Sequence, residues 1–154
     1  MKKLLIFASL LFTISIFEIN AQNRKSVSAA EAGGTFRSFF DGKFKGNYNE
    51  IKILALGNGK LRVAFELTYP YIDGTGSQMA NVGTADGTTT IEGDTAIFSP
   101  DENGQCRITI KFVKRGTIEV TQSGMDSECG FGFNVNAHGT YKKMSNAKPK
   151  FSAS

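Results

Sequence analysis

After residue 43, apolar and polar positions alternate with a period of two almost without interruption, the mark of strands with one buried and one wet face. The clearest run sets Leu61, Val63, Phe65, Leu67, Tyr69 and Tyr71 on one face, with Arg62, Ala64, Glu66 and Thr68 between them. Residues 44–56 read as a strand whose parity changes between Tyr48 and Ile51, which predicts a bulge near Asn49 and Glu50. Gly57, Asn58 and Gly59 then supply a hairpin turn. Further strands are predicted at 78–85, 88–92 and 95–99, with Asp86-Gly87 and Gly93-Asp94 as turn signals between them. Beyond a longer turn at 100–104, Cys106, Ile108, Ile110 and Phe112 alternate with polar residues, and Lys114, Arg115 and Gly116 reverse the chain. Ile118, Val120 and Gln122 continue the pattern, and Phe131, Phe133, Val135 and Ala137 lead the last of eight predicted strands.

Helical periodicity is weak after the first residues, apart from a short helix predicted within 28–40 before Gly33 and Gly34. The class is therefore all-β. Eight short strands joined mostly by tight turns suit an antiparallel up-and-down, lipocalin-like barrel, because closure removes unpaired edges. A two-sheet β-sandwich is the alternative. A strand leaving Cys106, turning near Arg115 and returning through Gln122 brings Cys129 back toward Cys106, so these two cysteines are expected to form a disulfide.

The N-terminus changes the setting of this fold. Lys2 and Lys3 precede an apolar run over 4–17, followed by a polar approach to Ala21. This is the layout of a secretory signal peptide cleaved near Ala21, and it implies a secreted or periplasmic product in which a disulfide persists. The expected organisation is a signal peptide at 1–21, a mobile N-terminal segment at 22–34, a β-barrel domain at 35–143 and a flexible basic tail at 144–154. The full chain carries 18 basic and 14 acidic residues, a balance too mild to indicate a nucleic-acid surface. Between 73 and 104 all charged residues are acidic, with basic-rich stretches on both sides, which suits complementary strands meeting in the fold.

Few residues offer chemistry. His138 is the one histidine, and it shares parity with Asn134 and Asn136, so it is expected to face outward. No second histidine or free thiol is at hand for a nucleophilic unit or an N/S metal site. Glu92 and Asp94 flank a turn and Asp101 and Glu102 begin one, positions charged because they are exposed. Asp73, Asp86 and Asp94 lack the spacing of a calcium loop. Gly130 and Gly132 lack the Lys-Ser/Thr of a phosphate loop, and are read as a strand that a neighbouring segment approaches closely. Lys142, Lys143, Lys148 and Lys150 make the C-terminal end basic. No catalytic residue, cofactor or metal site is expected.

Cys129-Gly-Phe-Gly-Phe-Asn-Val-Asn-Ala-His-Gly-Thr-Tyr141, with Cys106 upstream, resembles the C-terminal motif of small secreted bacterial proteins of uncharacterised function. The size, leader, disulfide and barrel also resemble, in architecture, the lipocalin-like lysozyme inhibitors of the bacterial envelope. Those inhibitors carry a Ser-Gly-x-x-Tyr loop, and here Ser127 stands at the Tyr position after Ser123 and Gly124, so no inhibitory residue is carried over.

The expected function is that of a non-enzymatic binding module for an extracytoplasmic protein, without nucleic acid as a partner and without stable membrane insertion. The candidate partner loop is Ser123, Gly124, Met125, Asp126, Ser127 and Glu128, aided by the tips at 73–76 and 101–104. Two alternatives are a structural envelope protein and a carrier of a small apolar ligand. The carrier would line its interior with Phe65, Tyr69, Tyr71, Phe112, Phe131 and Phe133.

Overall fold

A computed structural model of the chain describes residues 26–100 and 105–151; the signal-peptide expectation lies outside them. Strands β1 (Gly34–Phe39), β2 (Tyr48–Gly57), β3 (Lys60–Ile72), β4 (Gln78–Glu92), β5 (Thr95–Phe98), β6 (Arg107–Lys114), β7 (Thr117–Ser123) and β8 (Gly139–Ser145) are each hydrogen-bonded to the next. All pairs are antiparallel, and β8 returns to β1 to close the barrel. The all-β, eight-stranded up-and-down class is as the alternation predicts, and the sandwich alternative falls away.

The period-two pattern places one apolar face inside. Phe36, Ile51, Ile53, Leu61, Val63, Phe65, Phe98, Ile108, Ile110, Phe112, Ile118 and Tyr141 fill the interior with almost no exposure. Phe36 meets Phe112 edge to face at 6.5 Å between ring centroids, and Phe65 meets Phe98 at 5.3 Å, separations typical of favourable aromatic pairs. Outside, Arg37, Lys52 and Arg62 meet Glu50, Glu66 and Asp86. The Arg62 guanidinium donates to Asp86 from Nη2 and Nε, at 2.6 and 3.0 Å, and so joins the acidic stretch to the basic one before it. An apolar interior with a charged exterior is the reverse of a transmembrane barrel.

Membership of the eight strands differs from expectation, although the number agrees. The predicted strands 78–85 and 88–92 are one continuous strand, β4, paired with β3 over thirteen positions. Asp86-Gly87 is not a turn. Asp86 faces outward to Arg62, and a Cβ on Gly87 would stand 2.9 Å from the Phe98 ring. Gly83 is small for the same reason, since a Cβ there would lie 2.8 Å from Phe131.

The predicted final strand over Phe131 to Ala137 is instead a folded loop. Phe131 makes one isolated bridge to Gly83, and Val135 and Ala137 are buried without a ladder. The true last strand, β8, presents a single large apolar residue inward, Tyr141. The missed first strand, β1, likewise offers Phe36 alone, so neither carries an apolar stripe. The bulge expected at Asn49 and Glu50 is also absent, because the β1–β2 register runs unbroken from Tyr48 to Ile53. Tyr48 simply faces outward, under the Arg37 guanidinium at 3.9 Å and against Phe39 at 5.7 Å.

The short helix is present as α1 (Ala29–Ala32), with Ser28 Oγ accepting from the Glu31 N–H. The Lys143 ammonium donates to the carbonyls of Ala30, Glu31 and Gly33 at 3.2, 2.6 and 2.7 Å. Burial holds its pKa below the ordinary lysine value. Ala30, Glu31 and Gly33 are thus tied to β8, which ends at Ser145. Further on, Pro149 is buried and the Phe151 ring lies 4.2 Å from the Arg62 guanidinium.

Replacing Gly87 with Val is expected to destabilise the fold by about 1–3 kcal/mol through overpacking against Phe98. In urea titrations, Gly87→Val with Phe98→Ala should lose less than the sum of the two singles. Tyr141 generates a pH prediction. Its hydroxyl donates to the Ala137 carbonyl at 3.1 Å, and burial pushes its pKa well above the ordinary value. The contribution of Tyr141 to stability is therefore level through neutral pH and falls as pH rises above about 10, where the unfolded chain releases the proton that the folded chain retains. Tyr141→Phe should flatten that decline, at a cost of about 0.5–1.5 kcal/mol near pH 7.

Candidate functional site

An up-and-down barrel sorts its connections to two ends. One end receives α1, the turns after β2, β4 and β6, and the C-terminal segment. The other receives the connections β1–β2, β3–β4, β5–β6 and β7–β8. Two of the three loops expected to contact a partner, 73–76 and 123–128, belong to this second end. Residues 101–104 are outside the described residues, but Ser99 and Gln105 on either side of them lie there.

The β7–β8 connection builds most of this end. Cys106 and Cys129 are disulfide-bonded across a sequence separation of 23, as their positions in the hairpin predict. Within the loop, the Met125 N–H donates to Glu128 Oε2 at 2.7 Å and the Phe131 N–H donates to the Asp126 carbonyl at 2.9 Å. Gln122 ties the loop to β7, its Nε2 donating to Asp126 Oδ1 and its Oε1 accepting from the Ala137 N–H. Gly124 is required here, because its φ is +103° and a Cβ would stand 2.5 Å from the Gln105 carbonyl oxygen. His138 is exposed, and its Nδ1 accepts from the Gln122 N–H at 3.3 Å.

The loop then crosses to β4. Gly132 donates its N–H to the Val82 carbonyl at 3.1 Å, and Asn81 Nδ2 donates to the Phe133 carbonyl at 2.8 Å. A Cβ on Gly132 would stand 2.7 Å from that Val82 oxygen, so the expected close approach is real although the segment is not a strand. The β3–β4 tip is ordered by Asp73, whose Oδ1 accepts from the Thr75 N–H, the Thr75 hydroxyl and the Ser77 N–H at 2.7–2.9 Å. These hydrogen bonds, that from the Thr75 hydroxyl foremost, hold its carboxyl below the ordinary range.

Apolar exposure is concentrated at this end. Of the eleven large apolar side chains that are exposed among the described residues, eight lie here: Phe39, Tyr48, Tyr69, Ile72, Met79, Val82, Met125 and Phe133. Phe133 is 79% exposed and Met125 65%. Isolated exposed apolar groups are ordinary, whereas a cluster marks an interaction surface.

The six candidate ligand-lining residues are not brought together. Phe65, Phe112 and Phe131 are core residues, while Tyr69 and Phe133 are exposed and Tyr71 is half-buried. The three buried rings pack against neighbouring side chains. The carboxylates are dispersed as well, with Asp73 in its own turn, Asp86 on Arg62 and Asp94 accepting from the Thr95 hydroxyl. Sequence reasoning missed Phe39, Tyr48, Ile72, Met79 and Val82. One signal was available, since alternation over 61–71 continues further than a small barrel's height requires, leaving the far ends of β3 and β4 as an overhang.

Compared with known proteins, the chain matches no family model, no curated protein and no solved structure. The functional reading therefore rests on the geometry of this end.

Replacing both Cys106 and Cys129 with Ser is expected to cost about 3 kcal/mol in urea unfolding, on the loop-length model. Hydrogen exchange should rise most over 124–137, the loop that the bridge anchors, and least in β2 and β3.

Proposed function

We propose that the chain is an extracytoplasmic, non-catalytic binding module that docks a folded protein through the end formed by the β3–β4 tip and the disulfide-anchored β7–β8 loop. The observation that carries this reading is the gathering of eight exposed apolar side chains at the end where the loop is ordered by hydrogen bonds and by Cys106–Cys129. A surface held in one conformation loses less entropy on association. Large apolar side chains such as Phe133 and Met125 are the groups expected to act as anchors. The interior is occupied by the barrel's own side chains, which favours recognition from outside over carriage within.

An inhibitor of a cell-wall-degrading enzyme is the form of this proposal to test first. Oxidised protein covering 22–154 is expected to inhibit lysozyme stoichiometrically in a turbidity assay on cell-wall substrate. Phe133→Ser should weaken that inhibition about tenfold or more without changing the unfolding midpoint. Full lysozyme activity at large molar excess of the protein would remove the inhibitor form for the lysozymes tested.

A further inference from the structure

The β2–β3 ladder ends at Glu50 and Glu66. Two positions further, Tyr48 and Thr68 do not pair, and Asn49 Oδ1 instead accepts the Thr68 N–H at 2.7 Å. The two strands part here and leave a cleft of about 470 Å³ on the barrel wall, lined by Tyr48, Glu50, Glu66, Thr68, Val82 and Thr84 among others. This volume lies within the range of about 300–1,000 Å³ typical of small-ligand sites.

Three features of the lining select the ligand. Hydroxyls from Tyr48, Thr68 and Thr84 both donate and accept, and Thr68 Oγ1 is buried with no hydrogen-bond partner. The two carboxylates already have cations: Arg37 lies 2.5 Å from Glu50, and Lys52 contacts Glu66 and lies 3.5 Å from Glu50. A cationic ligand would have to compete with these side chains, whereas a ligand hydroxyl needs only a lone pair that a carboxylate retains. Finally, Arg37 stacks on the Tyr48 ring at 3.9 Å but does not line the cleft. Tyr48 is thereby held in place, and it joins Val82 to offer apolar surface beside the polar groups.

Hydroxyl groups set against carboxylates, with weakly positive C–H bonds set against an electron-rich ring face, describe the recognition of a sugar ring. We infer that the cleft between β2 and β3 binds a neutral saccharide. The cleft shares Tyr48 and Val82 with the exposed apolar end but does not include Phe133, so Phe133→Ser separates this site from the protein-partner reading.

The test is a glycan array probed with labelled, oxidised protein covering 22–154, followed by amide NMR titration with the retained glycan. Neutral glycans should be retained, shifting the amides of Thr68, Thr84 and Asn47. Tyr48→Ala and the shape-preserving Glu66→Gln should each weaken binding at least tenfold, while Phe133→Ser leaves it unchanged. Absence of any retained glycan, retention of charged glycans alone, or shifts confined to other parts of the barrel would each overturn the inference.

Discussion

The seam between β4 and β5 is the place where closure of this barrel is hardest to achieve. β4 pairs with β3 at thirteen positions but with β5 at two, and a long strand with an open edge invites pairing with other chains. Aromatic rings and one loop close the gap. Phe98 lies over Gly87 and Phe131 over Gly83, each ring in the space a side chain would take. Gly132 adds a hydrogen bond to the Val82 carbonyl, and the Thr89 hydroxyl adds one to the Ile97 carbonyl. Glycines ordinarily weaken a strand, but here they admit the rings that complete the core.

This closure links parts of the chain that look independent. Phe131 belongs to the β7–β8 loop, Cys129 sits two residues before it, and Cys129 is bonded to Cys106 at the entrance to β6. The disulfide therefore orders the loop, positions the ring that covers β4 and sets Phe133 outside. A surface built this way shares its stability with the core, unlike a loop that merely spans two strands.

On the outer wall the ordering force is electrostatic. Glu50 and Glu66 are directly opposite in register, an arrangement unfavourable for like charges, and Lys52 between them offsets the repulsion. Arg37 bonds to Glu50 and at the same time covers Tyr48. Where this network stops, the backbone pairing stops as well, so the cleft marks the limit of the charge ladder.

Alternation along the chain was sufficient to establish the all-β class, the closed antiparallel barrel, the buried face of β3 as far as Leu67, that of β6, and the Cys106–Cys129 pairing. Each follows from local periodicity or from the length of one hairpin. Strands β1 and β8 were hidden because each contributes one large apolar side chain to the interior, and their pairing is decided by where the other six strands leave two free edges. Asp86-Gly87 carries a turn signal without being a turn, because a glycine that makes room for a distant ring is identical, in sequence, to a glycine that turns the chain. That the chain returns after Gln122 to the end where Cys129 meets Cys106 was legible from the length of the hairpin, whereas the exposed apolar residues of β1, β2, β3 and β4 at that end were not. Those residues are far apart in the chain, and only the strand connectivity of the closed barrel brings them to one end.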